Sequence, residues 1–124
     1  MLAVSCGSGG GGNSPSAISK SIYSQVQKGN YEKAFEIMAD NIDNNKENVT
    51  TEERSQFVKG FAEMAKQQAK ETGGVKSFEI VKEEIAEDGN SATVDVKLVY
   101  GNGKDGTEIH KYVKKDGVWK FKLL

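Results

Sequence analysis

Several residue types that often organise a small domain are scarce in this chain of 124 residues. It has one cysteine, one proline, one histidine and one tryptophan. A single cysteine, Cys6, excludes a disulfide framework within the chain and a zinc site built from several cysteines. No apolar run approaches the roughly 20 residues that a membrane-spanning helix needs. Because the formal net charge is −1, we expect no nucleic-acid partner, and no motif indicates a metal or a cofactor.

The stretch from Gly7 to Ser16 consists almost entirely of glycine, serine and other small or polar residues. Such a sequence has too little apolar surface to pack and behaves as a flexible tether. The rest of the chain has the size of one domain and can bury a core without disulfides or metals. We therefore divide the chain into a leader and tether, residues 1–15, and a single domain, residues 16–124.

Cys6 ends a short run of apolar and small residues, Leu2-Ala3-Val4-Ser5-Cys6. This pattern resembles the end of a bacterial lipoprotein signal, in which the cysteine receives the lipid. The resemblance implies that the domain is held at a membrane through acyl chains on Cys6. No Lys or Arg precedes Lys20, although a signal begins with basic residues, so we expect a truncated signal. The alternative is a disordered N terminus with an incidental cysteine.

Three segments predict amphipathic helices. The first begins at Ser14 or Ser16, with Pro15 in the first turn, and ends before Gly29. The second follows Asn30 as its N-cap. The apolar stripes of these two helices recur at helical spacing and comprise Ile18, Ile22 and Val26, then Tyr31, Ala34, Phe35, Met38, Ala39 and Ile42.

The third predicted helix begins at Thr50, which has the spacing of a capping box with Glu53. It ends at Gly73, because glycine accepts the left-handed conformation that closes a helix. We expect Val58 at the edge of its apolar stripe. The stripe that we expect to be buried contains Phe57, Phe61, Met64, Ala65 and Gln68.

Beyond Gly74 the apolar period changes from 3.6 to 2, which predicts strands. A phase change at Ile80-Val81 indicates a β-bulge, and Asp88-Gly89-Asn90 is typical of a hairpin turn. The second strand alternates most regularly. Its side chains that we expect to face the helices are Ala92, Val94, Val96, Leu98 and Tyr100.

The final hairpin, around Lys115-Asp116-Gly117, can close in two ways. A two-residue Asp-Gly turn would place His110, Tyr112 and Lys114 on the same face as Trp119, Phe121 and Leu123. A three-residue turn with Gly117 in a bulge would place Ile109, Lys111 and Val113 there instead. We favour the second turn because it makes the inner face more apolar and leaves the histidine outside.

These segments predict an α+β fold of three N-terminal helices packed on a bent four-stranded antiparallel meander sheet, a cone-like arrangement. The closing segment Val113-Lys114-Lys115-Asp116-Gly117-Val118-Trp119-Lys120-Phe121 resembles the end of the nuclear-transport-factor-2-like (cystatin-like) superfamily. With its leader, the chain is similar to the uncharacterised small lipoproteins of that superfamily in Gram-negative bacteria. The resemblance implies a place in the cell envelope, on the outer membrane in preference to the inner one. The superfamily includes isomerases, dehydratases, transport factors and binding modules, so the fold alone does not decide the function.

A binding role is the function that we favour. The candidate residues for lining a pocket at the mouth of the cone are Phe57, Phe61, Met64, Tyr100 and Trp119. They would receive a small apolar ligand, and the alternative is that they only fill the core. A second hypothesis is a partner protein or a second copy of the chain on the outer sheet face. That face would carry Val99, Tyr112 and Val118 among Lys97, His110, Lys114, Lys120 and Lys122.

An enzyme of the isomerase or dehydratase type would need titratable groups that converge inside the cone. The inner face that we expect contains no carboxylate. Glu83 would enter it only if the bulge lay elsewhere, and His110 could act as a base only with the two-residue turn. We therefore assign no catalytic residue.

Overall fold

The computed structural model describes residues 14–43 and 49–122. Cys6 and the predicted signal lie outside the described residues. The helices are α1 (Pro15–Gln27), α2 (Tyr31–Asp40) and α3 (Thr51–Thr72). The strands are β1 (Val75–Ile85), β2 (Ser91–Tyr100), β3 (Asp105–Lys115) and β4 (Val118–Lys122). The three helices and four strands of these described segments have the predicted order and fold class.

The helix termini follow the predicted capping chemistry at most positions. The Ser14 hydroxyl accepts a hydrogen bond from the backbone N–H of Ala17, with Pro15 directly after the cap. The Thr50 hydroxyl accepts from the backbone N–H of Glu53, as a capping box requires. Asn30 occupies the N-cap position of α2, but its side chain makes no capping hydrogen bond. The α3 helix ends at the left-handed Gly73.

The sheet is an antiparallel meander with the strand order β1-β2-β3-β4. The β1–β2 register shifts between Ile80 and Lys82, which confirms the predicted bulge. The free side of β4 is partly covered by the segment after α2, where the backbone of Asn41 and Asp43 bonds to Phe121. Lys115 and Asp43 form an ion pair of 2.7 Å beside this contact.

The core lies between α1, α2 and the sheet, and the predicted inward face of β2 is confirmed. The predicted stripe of α3 is wrong in part. Val58 and Ala62 are its buried residues, whereas Met64 is 61% exposed. The reason is that α3 packs mainly on α2, where Phe61 meets Phe35, so α3 is covered at Val58 and Ala62 and left in solvent at Met64. No helix among the described residues is long and apolar enough to cross a membrane.

The prediction for the last hairpin is also wrong. Lys115 pairs with Val118 across the two-residue turn of Asp116 and Gly117, which have φ angles of 53° and 78°. Two consecutive positive φ angles match the twist of a tight hairpin, and Asp-Gly supplies them readily. His110 and Tyr112 are therefore buried, and Ile109 is 62% exposed.

Candidate functional site

A cavity of about 790 Å³ lies between the helices and the inner face of the sheet. This volume falls within the range of about 300–1,000 Å³ that is usual for small-molecule sites. Exposed residues such as Glu71 and Glu108 belong to its wall, so the cavity opens to solvent there. Its larger apolar and aromatic lining residues are Ile22, Tyr23, Val26, Tyr31, Phe35, Met38, Phe61, Val75, Leu98, Tyr100, Ile109 and Phe121.

A chain of polar side chains connects α1 with β3 behind this cavity. The Ser19 hydroxyl lies 2.6 Å from the Tyr112 hydroxyl and 3.1 Å from Nδ1 of His110. Nε2 of His110 lies 3.0 Å from the Tyr23 hydroxyl. All four residues are buried, and no buried side-chain nitrogen or oxygen among the described residues lacks a partner. The hydrogen bonds thus offset the cost of placing these groups in the core.

Glu108 lies beside this chain of polar side chains, on the cavity side. It is two residues before His110 on β3, opposite the buried Val96, and its charge contributes to the raised pKa of Tyr23. Nδ1 and Nε2 of His110 face the hydroxyls of Ser19 and Tyr23. In the neutral imidazole one of these nitrogens donates and the other accepts.

The same arrangement determines the charge state of the buried groups. Burial lowers the pKa of His110 from 6.5 to about 4, so the imidazole is neutral at neutral pH. Burial, followed by the charge of Glu108, raises the pKa of Tyr23 far above its ordinary value. Burial also raises the pKa of Tyr112 to about 12, although the hydrogen bond with Ser19 opposes the shift. The buried chain therefore carries no net charge at neutral pH.

Local sequence patterns explain why these side chains meet. Ser19 and Tyr23 are four residues apart, so they project from one face of α1. Glu108, His110 and Tyr112 alternate along β3 and therefore share the helix-facing side. The i, i+4 pair and the alternating polar triplet are visible in the sequence. If the last hairpin closed with the predicted three-residue turn, the triplet would lie on the outer face, so neither pattern would then indicate a site.

Two of the five residues predicted to line a pocket lie in the cavity wall, and the other three lie outside it. Phe61 and Tyr100 line the cavity. Phe57 packs against Phe61 at a ring-centroid distance of 4.7 Å and lies outside the lining, as do the exposed Met64 and the buried Trp119.

Glu83 and the even-numbered residues of β3 also have defined places. Glu83 accepts hydrogen bonds from the backbone N–H and hydroxyl of Ser16, at 2.9 and 2.6 Å. It therefore places a negative charge at the N terminus of α1, where the helix dipole favours it. His110, Tyr112 and Lys114 belong to the inner register of β3, which corrects their predicted place on the outer face. No cluster of metal-binding side chains occurs in residues 14–43 and 49–122.

The sequence matches, over residues 4–122, the family described as Domain of unknown function (DUF4878). No curated protein matches the chain. Two solved structures have the same fold. A candidate NTF2-like transpeptidase from Campylobacter jejuni is 22% identical, with a TM-score of 0.61 over 89% of this chain and 98% of that one. A SEC-C motif containing protein from Rhodopseudomonas palustris is 18% identical, with a TM-score of 0.54 over 88% of this chain and 75% of that one.

Proposed function

We propose that the chain, which belongs to the DUF4878 family and has an NTF2-like fold, binds a small, largely apolar molecule in the cavity between its helices and its sheet. The carrying observation is the open cavity of about 790 Å³ with an aromatic wall. A ligand there would replace water on apolar surface, at about 25 cal/mol per Å² removed from solvent. Tyr23 and Glu108 supply polar groups that would orient it.

Filling the cavity tests this proposal. Ala69 on α3 lines the cavity, whereas the exposed Gln67 on the same helix does not. We expect the wild type to give saturable fluorescence enhancement with the neutral apolar probe N-phenyl-1-naphthylamine. Ala69→Trp should weaken the probe's binding about tenfold or more, whereas Gln67→Trp should leave it unchanged. Circular dichroism and urea unfolding establish that both variants fold. Absence of saturable binding to the wild type, or equal binding by all three proteins, would contradict the proposal.

An enzyme is the second candidate, because a buried histidine adjoins the cavity. Both ring nitrogens of His110 already have partners, Ser19 and Tyr23. The imidazole therefore has no free lone pair that could accept a proton from a ligand, unless its hydrogen bonds with Ser19 and Tyr23 open. This occupancy favours binding over isomerase or dehydratase chemistry.

Acyl transfer at Ser19 is a narrower version of the enzyme hypothesis, suggested by the candidate transpeptidase with the same fold. Ser19 and His110 have the contact of a nucleophile and its base. However, Ser19 is 0% exposed and is not part of the cavity wall. A fluorophosphonate probe should therefore leave Ser19 unlabelled by mass spectrometry, and labelling that disappears in Ser19→Ala would favour the enzyme.

We also propose that lipid on Cys6 holds the domain at a membrane of the cell envelope. The support is the sequence Leu2-Ala3-Val4-Ser5-Cys6 and the Gly/Ser tether after it. In cells that carry the complete gene, metabolic labelling with a fatty-acid analogue should modify the wild type and not Cys6→Ala. An unlabelled wild type would overturn the anchor without affecting the cavity proposal.

Pairing through the outer sheet face stays a prediction. Ile109 and Val118 are the large apolar side chains exposed on that side of β3 and β4. Sedimentation of the wild type and Val118→Lys, compared over a range of concentrations, would reveal a dimer that depends on this face.

A further inference from the structure

The charged groups on the cavity wall differ in the direction that they face. Glu108 and Glu71 line the cavity together with Lys111 and Lys122. Glu108 belongs to the inner register of β3, opposite Val96. Lys111 is an odd-numbered residue of β3 and pairs with Lys122, so alternation directs both lysine side chains to the outer face. Among the charged residues of β3 and β4 in the cavity wall, Glu108 is therefore the one that the strand register directs toward the interior.

Glu108 retains capacity for a ligand. Glu108 lines the cavity, and a carboxylate has about four acceptor positions, more than a single neighbouring hydroxyl can fill. The Tyr23 hydroxyl lies 3.0 Å from Nε2 of His110, so it already belongs to the buried hydrogen-bonded chain. The polar end of the cavity consequently offers a lone-pair acceptor with a negative charge.

The apolar part of the wall lies beyond this acceptor. Val26, Phe35 and Phe61 line the cavity from the three helices, and Tyr100 lines it from β2. The Phe35 and Phe61 rings pack 5.5 Å apart between α2 and α3. A ligand that spans both parts would need an apolar body and one polar head.

On the basis of the proposed function, we infer that the ligand is an amphiphile with a protonated amine head, which pairs with Glu108, and an apolar body that occupies the aromatic end of the cavity. An ammonium group has three donors and a positive charge, which match a carboxylate with free lone pairs. A carboxylate head would instead meet the like charge of Glu108. A neutral alcohol could donate one hydrogen bond without the ionic attraction.

Three ligands of equal chain length separate the head group from the body: decylamine, decanol and decanoate, below their micelle concentrations at pH 7. Their affinities are measured by displacement of N-phenyl-1-naphthylamine and by amide shifts in heteronuclear NMR. Because Glu108 is exposed, the expected preference is about fivefold for the amine over the acid, the size of a partly exposed ion pair. Decanol should lie between them.

Two variants identify the carboxylate responsible. Glu108→Gln should bring the amine and acid affinities within about twofold of each other. Glu79→Gln, an exposed residue of β1 outside the cavity wall, should retain the wild-type order. Binding of decanoate as tight as decylamine in the wild type, or an unchanged preference in Glu108→Gln, would overturn the head-group inference and leave the cavity proposal intact. Failure of all three compounds and the neutral probe to bind would overturn the proposed function itself.

Discussion

The hydroxyl of Ser19 on α1 lies 3.1 Å from Nδ1 of His110 on β3, and these residues are separated by 91 positions in the chain. The contact joins the first helix to the centre of the sheet through a polar group in an otherwise apolar core. The same hydroxyl lies 2.6 Å from Tyr112. Ser19 is thus the point at which α1 and the two buried polar residues of β3 meet.

Removal of this hydroxyl should destabilise the domain. Ser19→Ala leaves the Tyr112 hydroxyl and Nδ1 of His110 without their buried partner, which costs about 1–3 kcal/mol in the free energy of unfolding. Ser21→Ala is the control, because Ser21 is exposed on the same helix. Urea unfolding should show a lower midpoint for Ser19→Ala alone. Equal midpoints would mean that the polar chain adds no net stability.

The neutral state of His110 should make stability depend on pH. Its pKa is about 4 in the folded protein, against an ordinary value of 6.5, so the unfolded chain binds the proton more readily between these values. The contribution of His110 to the free energy of unfolding is fully present above pH 6.5 and is lost as the pH falls toward 4. Between pH 7 and pH 5 the loss is about 2 kcal/mol in the free energy of unfolding.

The variant His110→Asn isolates this contribution from that of the carboxyl groups. Asparagine keeps a donor and an acceptor but does not titrate. Unfolding at pH 7 and pH 5 should give a smaller pH effect in the variant than in the wild type. If both proteins lost the same free energy, the histidine would not be the group responsible.

Alanine substitutions at two glycines should change the free energy of unfolding in opposite directions. Gly117 has a φ angle of 78° and no atom near an added Cβ, so Gly117→Ala meets only backbone strain in the turn, at about 1 kcal/mol. Gly60 lies inside α3, also with open space around it. Gly60→Ala should stabilise the domain by about 0.5–1 kcal/mol. Thermal or urea unfolding measures both, and destabilisation in both variants would contradict the assigned helix conformation at Gly60.

The corrected stripe of α3 gives a further pair of expected outcomes. Val58 is 5% exposed and Met64 is 61% exposed. Val58→Ala should reduce the free energy of unfolding by about 1–2 kcal/mol, because buried methyl groups are removed. Met64→Ala should change it by less than about 0.5 kcal/mol. Similar losses in the two variants would support the stripe predicted from the sequence over the observed packing of α3 on α2.

The order of the elements follows from short-range features of the chain. Thr50 and Glu53 define the start of α3, Gly73 defines its end, and the alternation from Ala92 to Leu98 defines β2. In each case the physical cause acts within a few residues, through a cap, a left-handed glycine or a pleated strand. These parts of the fold were predictable, as was the bulge after Ile80.

The site was not predictable in the same way. A count of apolar residues on each face of β3 favours the turn that keeps His110 outside, because such a count treats a buried histidine as costly. That cost disappears when Ser19 and Tyr23 satisfy both ring nitrogens, and these partners lie 91 and 87 positions away. Phe61 and Tyr100 lie in the cavity wall and Met64 does not, since the packing of α3 on α2 determines which side of that helix is covered.

The sequence by itself therefore determined the helices, the meander and their capping, because those depend on contacts close along the chain. The tertiary structure decided which face of β3 is buried, and with it the placement of Glu108, His110 and Tyr112. It did so because a polar face can be buried only when another element supplies its hydrogen bonds. Here α1 supplies them through Ser19 and Tyr23, and the cavity beside them is the result of packing that no local pattern encodes.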